Sequence, residues 1–98
     1  MTKITSYSKS LFESIKQINE YGMEFWYARD LQEVLEYSKW DNFYNVIEKA
    51  TEACKNSNNE VSNHFADVGK MVEIGSGTER EIEDIMLSRY ACYLIVQN

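Results

Sequence analysis

Apolar positions recur at helical spacing in several stretches of this 98-residue chain and alternate with polar ones in others. Leu11, Ile15 and Ile18, with Phe12 beside them, share one side of a helix over residues 10–20, which Ser8 or Ser10 can cap and which stops at Tyr21-Gly22. Residues 23–27 are short, aromatic and bounded by Gly22, the pattern of a strand. The spacing then predicts a helix over 28–36, with Ala28, Leu31, Val34 and Leu35 on one face and Arg29, Asp30, Gln32 and Glu33 elsewhere. A third helix over 40–55 gathers Phe43, Val46, Ile47, Ala50, Ala53 and Cys54 on one side and offers Asn42, Asn45, Glu48, Lys49 and Glu52 on the other.

Residues 56–62, rich in Asn and Ser, read as a loop. Beyond them Met71-Val72-Glu73-Ile74, then Gly75-Ser76-Gly77, then residues 80–86 predict a β-hairpin with a glycine turn. The rival is one long helix from Glu79: Thr78 and Glu81 have the form of a capping box, and Ile82, Ile85, Met86, Tyr90, Tyr93 and Leu94 fit helical spacing. The hairpin is the preferred reading, and in it Ser88 caps a last helix over 89–97. That helix is apolar on nearly every side from Tyr90 to Val96, which calls for deep burial or a covering segment.

Length limits the chain to one domain, residues 1–98, with one modest core: a chain this short buries roughly 60–65% of the surface that its unfolded form exposes. A 44% apolar content exceeds that of a disordered chain. Proline is absent, and three of the four glycines fall between Gly69 and Gly77, marking the main change of direction. The fold class expected is α+β, a small single domain of about four helices, a short aromatic strand and a β-hairpin.

Charge narrows the function. The net charge is −6, and residues 60–98 hold three basic against seven acidic groups. Nonspecific nucleic-acid affinity comes mainly from Lys and Arg neutralising phosphates, so this chain is a poor general DNA binder unless it has a local basic face. No signal peptide or membrane span is visible, and a cytoplasmic location is expected. Cys54 and Cys92 stand alone, without metal-knuckle or redox spacing, and read as buried reduced thiols.

Candidate chemistry is sparse. His64 has Asp67 one helical turn away but no serine elbow or reactive-cysteine context, and reads as a structural or surface histidine. Glu79, Glu81, Glu83 and Asp84 could supply oxygens to a hard cation, but glutamates at every second position are better read as the wet face of a strand. Gly75-Ser76-Gly77 lacks the spacing and Lys of a phosphate loop. Trp26 and Trp40 read as core, Trp40 less so because its neighbours are polar. Arg29 beside Asp30 pairs with a nearby carboxylate or projects toward a phosphate, the pairing being preferred in so acidic a chain; Asp30 suits the first turn of its helix electrostatically and can cap it. No enzyme activity and no cofactor or metal are expected.

Several long blocks carry a family resemblance: Glu24-Phe25-Trp26-Tyr27-Ala28-Arg29-Asp30-Leu31, Leu35-Glu36-Tyr37-Ser38-Lys39-Trp40, Phe43, Val46-Ile47 and Ala50. It continues through His64-Phe65, Lys70-Met71-Val72, Gly75-Ser76-Gly77, Arg80-Glu81-Ile82 and Leu87-Ser88-Arg89-Tyr90-Ala91-Cys92-Tyr93-Leu94-Ile95. From about Phe12 onward the chain closely resembles the DNA-damage-inducible protein D family and, more distantly, the Bro-N domain of phage and viral antirepressors. The resemblance implies an α+β domain of the bacterial DNA-damage (SOS) response or of prophage origin, regulatory and noncatalytic. Relatives continue well beyond Gln97-Asn98, so an N-terminal fragment of a longer protein is expected.

Two functions follow as expectations. A protein-interaction module would turn its acidic second half and exposed aromatics toward a basic partner, with a RecA-like recombinase or a phage repressor implied by the resemblance. Alternatively, helices 28–36 and 40–55 act like a helix-turn-helix, with Asn42, Asn45 and Lys49 reaching base edges and Arg29 and Lys39 holding phosphates. Glu48 and Glu52 oppose that second arrangement. The candidate contact residues are Arg29, Lys39, Trp40, Asn42, Asn45 and Lys49, and protein interaction stands ahead of direct DNA binding.

Overall fold

The computed structural model describes residues 6–75 and 77–97, so Ser76 of the predicted turn and Asn98 lie outside the described residues. Helix α1 (Ser6–Ser14) is followed by the short strands β1 (Gln17–Ile18) and β2 (Glu24–Tyr27), then by helices α2 (Ala28–Val34) and α3 (Trp40–Asn56). One 3-10 turn at Val61–Asn63 leads into strands β3 (Phe65–Glu73) and β4 (Glu79–Leu87), and helix α4 (Arg89–Gln97) follows. The strands form one antiparallel sheet in the order β1-β2-β4-β3. The described residues form an α+β domain of four helices and a hairpin-bearing sheet, as the pattern predicted.

The first helix is the main departure. It ends at Ser14, and the predicted stretch to residue 20 holds strand β1 and a turn instead. Leu11, Ile15 and Ile18 have helical spacing, but Asn19 organises the backbone differently: its Oδ1 accepts the N–H groups of Tyr21 (2.8 Å) and Met23 (3.0 Å). Gly22 takes a φ of 78°, which only glycine adopts cheaply, and Gln17-Ile18 turn back onto Phe25 and Glu24. Ile18 is accordingly exposed and not core. The helix is already under way at Ser6, so Ser8 and Ser10 lie within it and not at its cap.

Helices α2 and α3 end in the same way. Tyr37 N–H donates to Gln32 O and Glu36 N–H to Glu33 O around Glu36, whose φ is 63°; Asn59 N–H and Asn58 N–H repeat the arrangement on Cys54 and Lys55 around Asn58, with φ of 62°. Both are Schellman endings, where glycine is usual and Asn tolerated, so Glu36 holds a conformation that disfavours it. The strained turn stops α2 two residues before the predicted end.

Trp26, Ala28, Leu31, Leu35, Phe43, Ile47, Ala50, Ile85, Leu87, Ala91, Cys92 and Ile95 form the core. Val46 packs against it, and Val34 and Ala53 are half-buried. Trp26 is fully enclosed: Phe12 stacks on it at 4.5 Å, and its Nε1 donates to Phe12 O at 2.9 Å. Cys54 and Cys92 are free and buried, and burial pushes both thiols up. The hairpin is longer than predicted, with unbroken pairing from Phe65 opposite Leu87 to Glu73 opposite Glu79. Its turn is closed by Ile74 N–H on Thr78 O at 2.8 Å, with Gly75 and Gly77 at positive φ. Ser88 caps α4, its Oγ accepting Ala91 N–H at 3.0 Å. In that apolar helix Tyr93 stays exposed, and Cys92 and Val96 line an open cavity of about 520 Å³ with Phe12 and Arg89.

Candidate interaction surface

The predicted contact residues fall into two groups. Arg29, near the start of α2, and Trp40, the first residue of α3, come together: the guanidinium lies 4.1 Å over the indole ring. Glu83 joins both, its backbone O accepting Arg29 Nε (2.8 Å) and its carboxylate accepting Trp40 Nε1 (3.0 Å). Among the described residues Arg29 therefore does not form the predicted carboxylate pair; a carbonyl and an indole face hold it. Trp40 is half-buried, 6.2 Å from Phe43 and 6.1 Å from Tyr44 between ring centroids, so it closes the edge of the core.

The second group is Lys39, just before α3, with Asn42, Asn45 and Lys49 along that helix, all exposed. Positions 42, 45 and 49 follow one another at helical spacing and make a stripe. Asp41, Glu48 and Glu52 are also exposed on the same helix. Burial first, and then the charges of Glu48, Asp67 and Glu83, push the Tyr44 phenol up. Tyr44, Ile47, Thr51, Phe65 and Asp67 border an open cavity of about 250 Å³ between α3 and the sheet.

His64 serves the framework. Its Nδ1 is 2.7 Å from Ser88 Oγ, its carbonyl accepts Ser88 N–H, and its ring meets Tyr90 edge-on. Asp67 lies on a strand, not one helical turn from His64, and is exposed. Among the described residues no group of three or more His, Cys, Asp or Glu is arranged to hold a metal, and no helix is long and apolar enough to cross a membrane.

Glu79, Glu81 and Glu83 form a wet face, as their alternation predicted, but Asp84 does not belong to it: it is 1% exposed. Its Oδ1 accepts the backbone N–H of Arg29 (3.0 Å) and of Ile85 (2.8 Å), so a carboxylate from β4 caps α2, which has no side-chain cap of its own. Lys70 Nζ stands 3.8 Å from Asp84 Oδ2 and 3.6 Å from Asp30 Oδ1, over the Tyr27 ring at 4.7 Å. Asp30 thus pairs with Lys70 and does not cap α2. The available signal was parity: an acidic residue directly after Glu83 must face the other side of the strand.

Arg89 also escaped the sequence reading. It grips Glu24 with Nε (2.7 Å) and Nη2 (3.0 Å), Glu13 with Nη1 (3.1 Å), and lies 5.0 Å over Trp26. Hydrogen bonding to Arg89 draws the Glu24 carboxyl below its ordinary value, and the pairing with Glu24 and Glu13 raises the guanidinium further. A cation in the first turn of α4 faces the positive end of the helix dipole, which signals that its charge is used elsewhere.

With this architecture in view, residues 14–98 match the model of the BRO family, N-terminal domain, and the chain belongs to that family. It is also similar to a particular bacterial protein. Over 87 residues it is 51% identical to DNA damage-inducible protein D of Escherichia coli (strain K12), covering 89% of this chain and 32% of that relative. The chain therefore spans about a third of that relative's length. No solved structure matches it.

Proposed function

We propose that this chain is a noncatalytic regulatory module of the bacterial DNA-damage (SOS) response or of prophage regulation, acting in the cytoplasm by engaging a protein partner such as a RecA-like recombinase or a phage repressor. Its family and the name of its relative support the setting. One observation carries the choice of a protein partner: four of the chain's ten Lys and Arg side chains are engaged within the fold, and Arg29, a candidate phosphate contact, is among them. Arg29 is held by Trp40 and Glu83, Lys70 by Asp30 and Asp84, and Arg89 and Lys16 by Glu13 and Glu24. A phosphate-binding face needs free cations.

The alternative, sequence-specific DNA binding of helix-turn-helix type, draws on the exposed stripe of Asn42, Asn45 and Lys49 with Lys39 at its start. Asp41, Glu48 and Glu52 weaken it. Sedimentation of the chain with a purified RecA-type recombinase, a phage repressor, or a DNA duplex separates the readings. We expect the chain to travel with one of the proteins at physiological salt; migration alone in both protein mixtures, but with the duplex, would overturn the proposal.

A further inference from the structure

We propose that the outer edge of β3 accepts an extended, basic peptide segment of a protein partner as an added strand. This rests on the protein-partner reading above and gives that partner's contact segment a chemical class. The starting observation is an open sheet edge. Strand β3 ends the order β1-β2-β4-β3 and pairs only with β4, through nine consecutive residue pairs without a bulge. Its far side offers a row of backbone donors and acceptors that no described strand pairs, the arrangement used when extended peptides add to a sheet. The usual guards of an open edge are proline, a bulge or charged side chains, lysine above all; the exposed charges on β3, Asp67 and Glu73, repel an acidic strand and attract a basic one. Proline is absent from the chain, and Lys70 is held by Asp30 and Asp84.

The chemistry of the occupant follows from the neighbouring side chains. Residues 65–87 carry six acidic and two basic groups, a net −4 of the chain's −6. The register places Asp67, Gly69, Met71 and Glu73 on one face with Glu79, Glu81 and Glu83, all exposed. At Gly69 an added Cβ would stand 2.6 Å from Glu81 Cδ and Oε2, so the Glu81 carboxylate lies over the β3 backbone at the gap that glycine leaves. Among the described residues no cation pairs with Glu81. Because side chains alternate, every second residue of an added strand would face this acidic row. Lys or Arg there meets carboxylates, and exposed Met71 offers apolar surface for the side-chain stem. A second copy of this chain would bring the same net −4 against the edge, which disfavours self-pairing.

The test is a titration of the isotope-labelled chain with a short synthetic peptide of alternating Lys and Val, read by backbone amide shifts and hydrogen exchange. We expect saturable slowing of exchange at alternate residues of β3, none with a peptide of alternating Glu and Val, and about tenfold weaker binding by Glu81→Lys. The variant's thermal melt should match the parent's. Shifts confined to α3, binding without β3 amide protection, or a dimer of the chain alone built through this edge would overturn the proposal. If a protein partner binds and Glu81→Lys leaves its affinity unchanged, the edge proposal fails while the partner reading stands. If the peptide protects β3 but neither purified protein binds, the edge stands and the partner reading falls.

Discussion

The two ends of strand β4 are built to opposite specifications. At its base Asp84, Ile85 and Leu87 are buried, hydrogen-bonded to α2 or packed in the core. At its tip Glu79 and Glu81 face solvent beside the open strand β3. The pairing with β3 is uninterrupted from one end to the other, so the backbone does not make the difference. Helices do: they cover the base and leave the tip bare. A continuous hairpin thereby joins a part that holds the fold together to a part free to meet another molecule.

Substitutions should follow this division. Trp26 is paired opposite Leu87 at the base, and Trp26→Ala should cost about 3–5 kcal/mol, lost with the Phe12 stack and the indole hydrogen bond, seen as a large fall in the denaturant midpoint. Near-native stability in that variant would mean that the base is not the anchor. Asp84→Ala should cost about 2–3 kcal/mol, because it uncaps α2 and leaves Lys70 short of a counter-charge. If it costs no more than a change at Glu81, the contrast between base and tip is wrong.

Arg89→Ala should cost about 1 kcal/mol, since its ion pairs are partly exposed. The same cluster sets a pH dependence. Arg89 lowers the folded-state value of Glu24 below its ordinary 4.5, so its contribution is complete above 4.5, drains as pH falls toward the lowered value, and is gone beneath it. Thermal melts across that acidic window should show the loss, and Glu24→Gln should flatten it. The smallest effect belongs to the tip: Glu81→Ala should change stability by less than about 0.5 kcal/mol.

The sheet tip was the most legible region, because glutamates at every second position and paired glycines have a direct physical meaning. The first helix misled because Ile18 keeps helical spacing although Asn19 and Gly22 redirect the backbone. The arrangement of the candidate residues was not legible: Arg29 and Trp40 were named separately, and both are held by Glu83, far along the chain. Asp84 capping Arg29 joins residues 55 positions apart, and Arg89 reaches 65 positions back to Glu24. Local periodicity does not report such contacts.

The proposal that this chain engages a protein ahead of DNA is tested directly by fluorescence anisotropy of a labelled duplex titrated with the chain at several salt concentrations. The account predicts weak binding, nearly unchanged by Arg29→Ala with Lys39→Ala. Tight binding that falls steeply as salt rises and collapses in that double variant would contradict it.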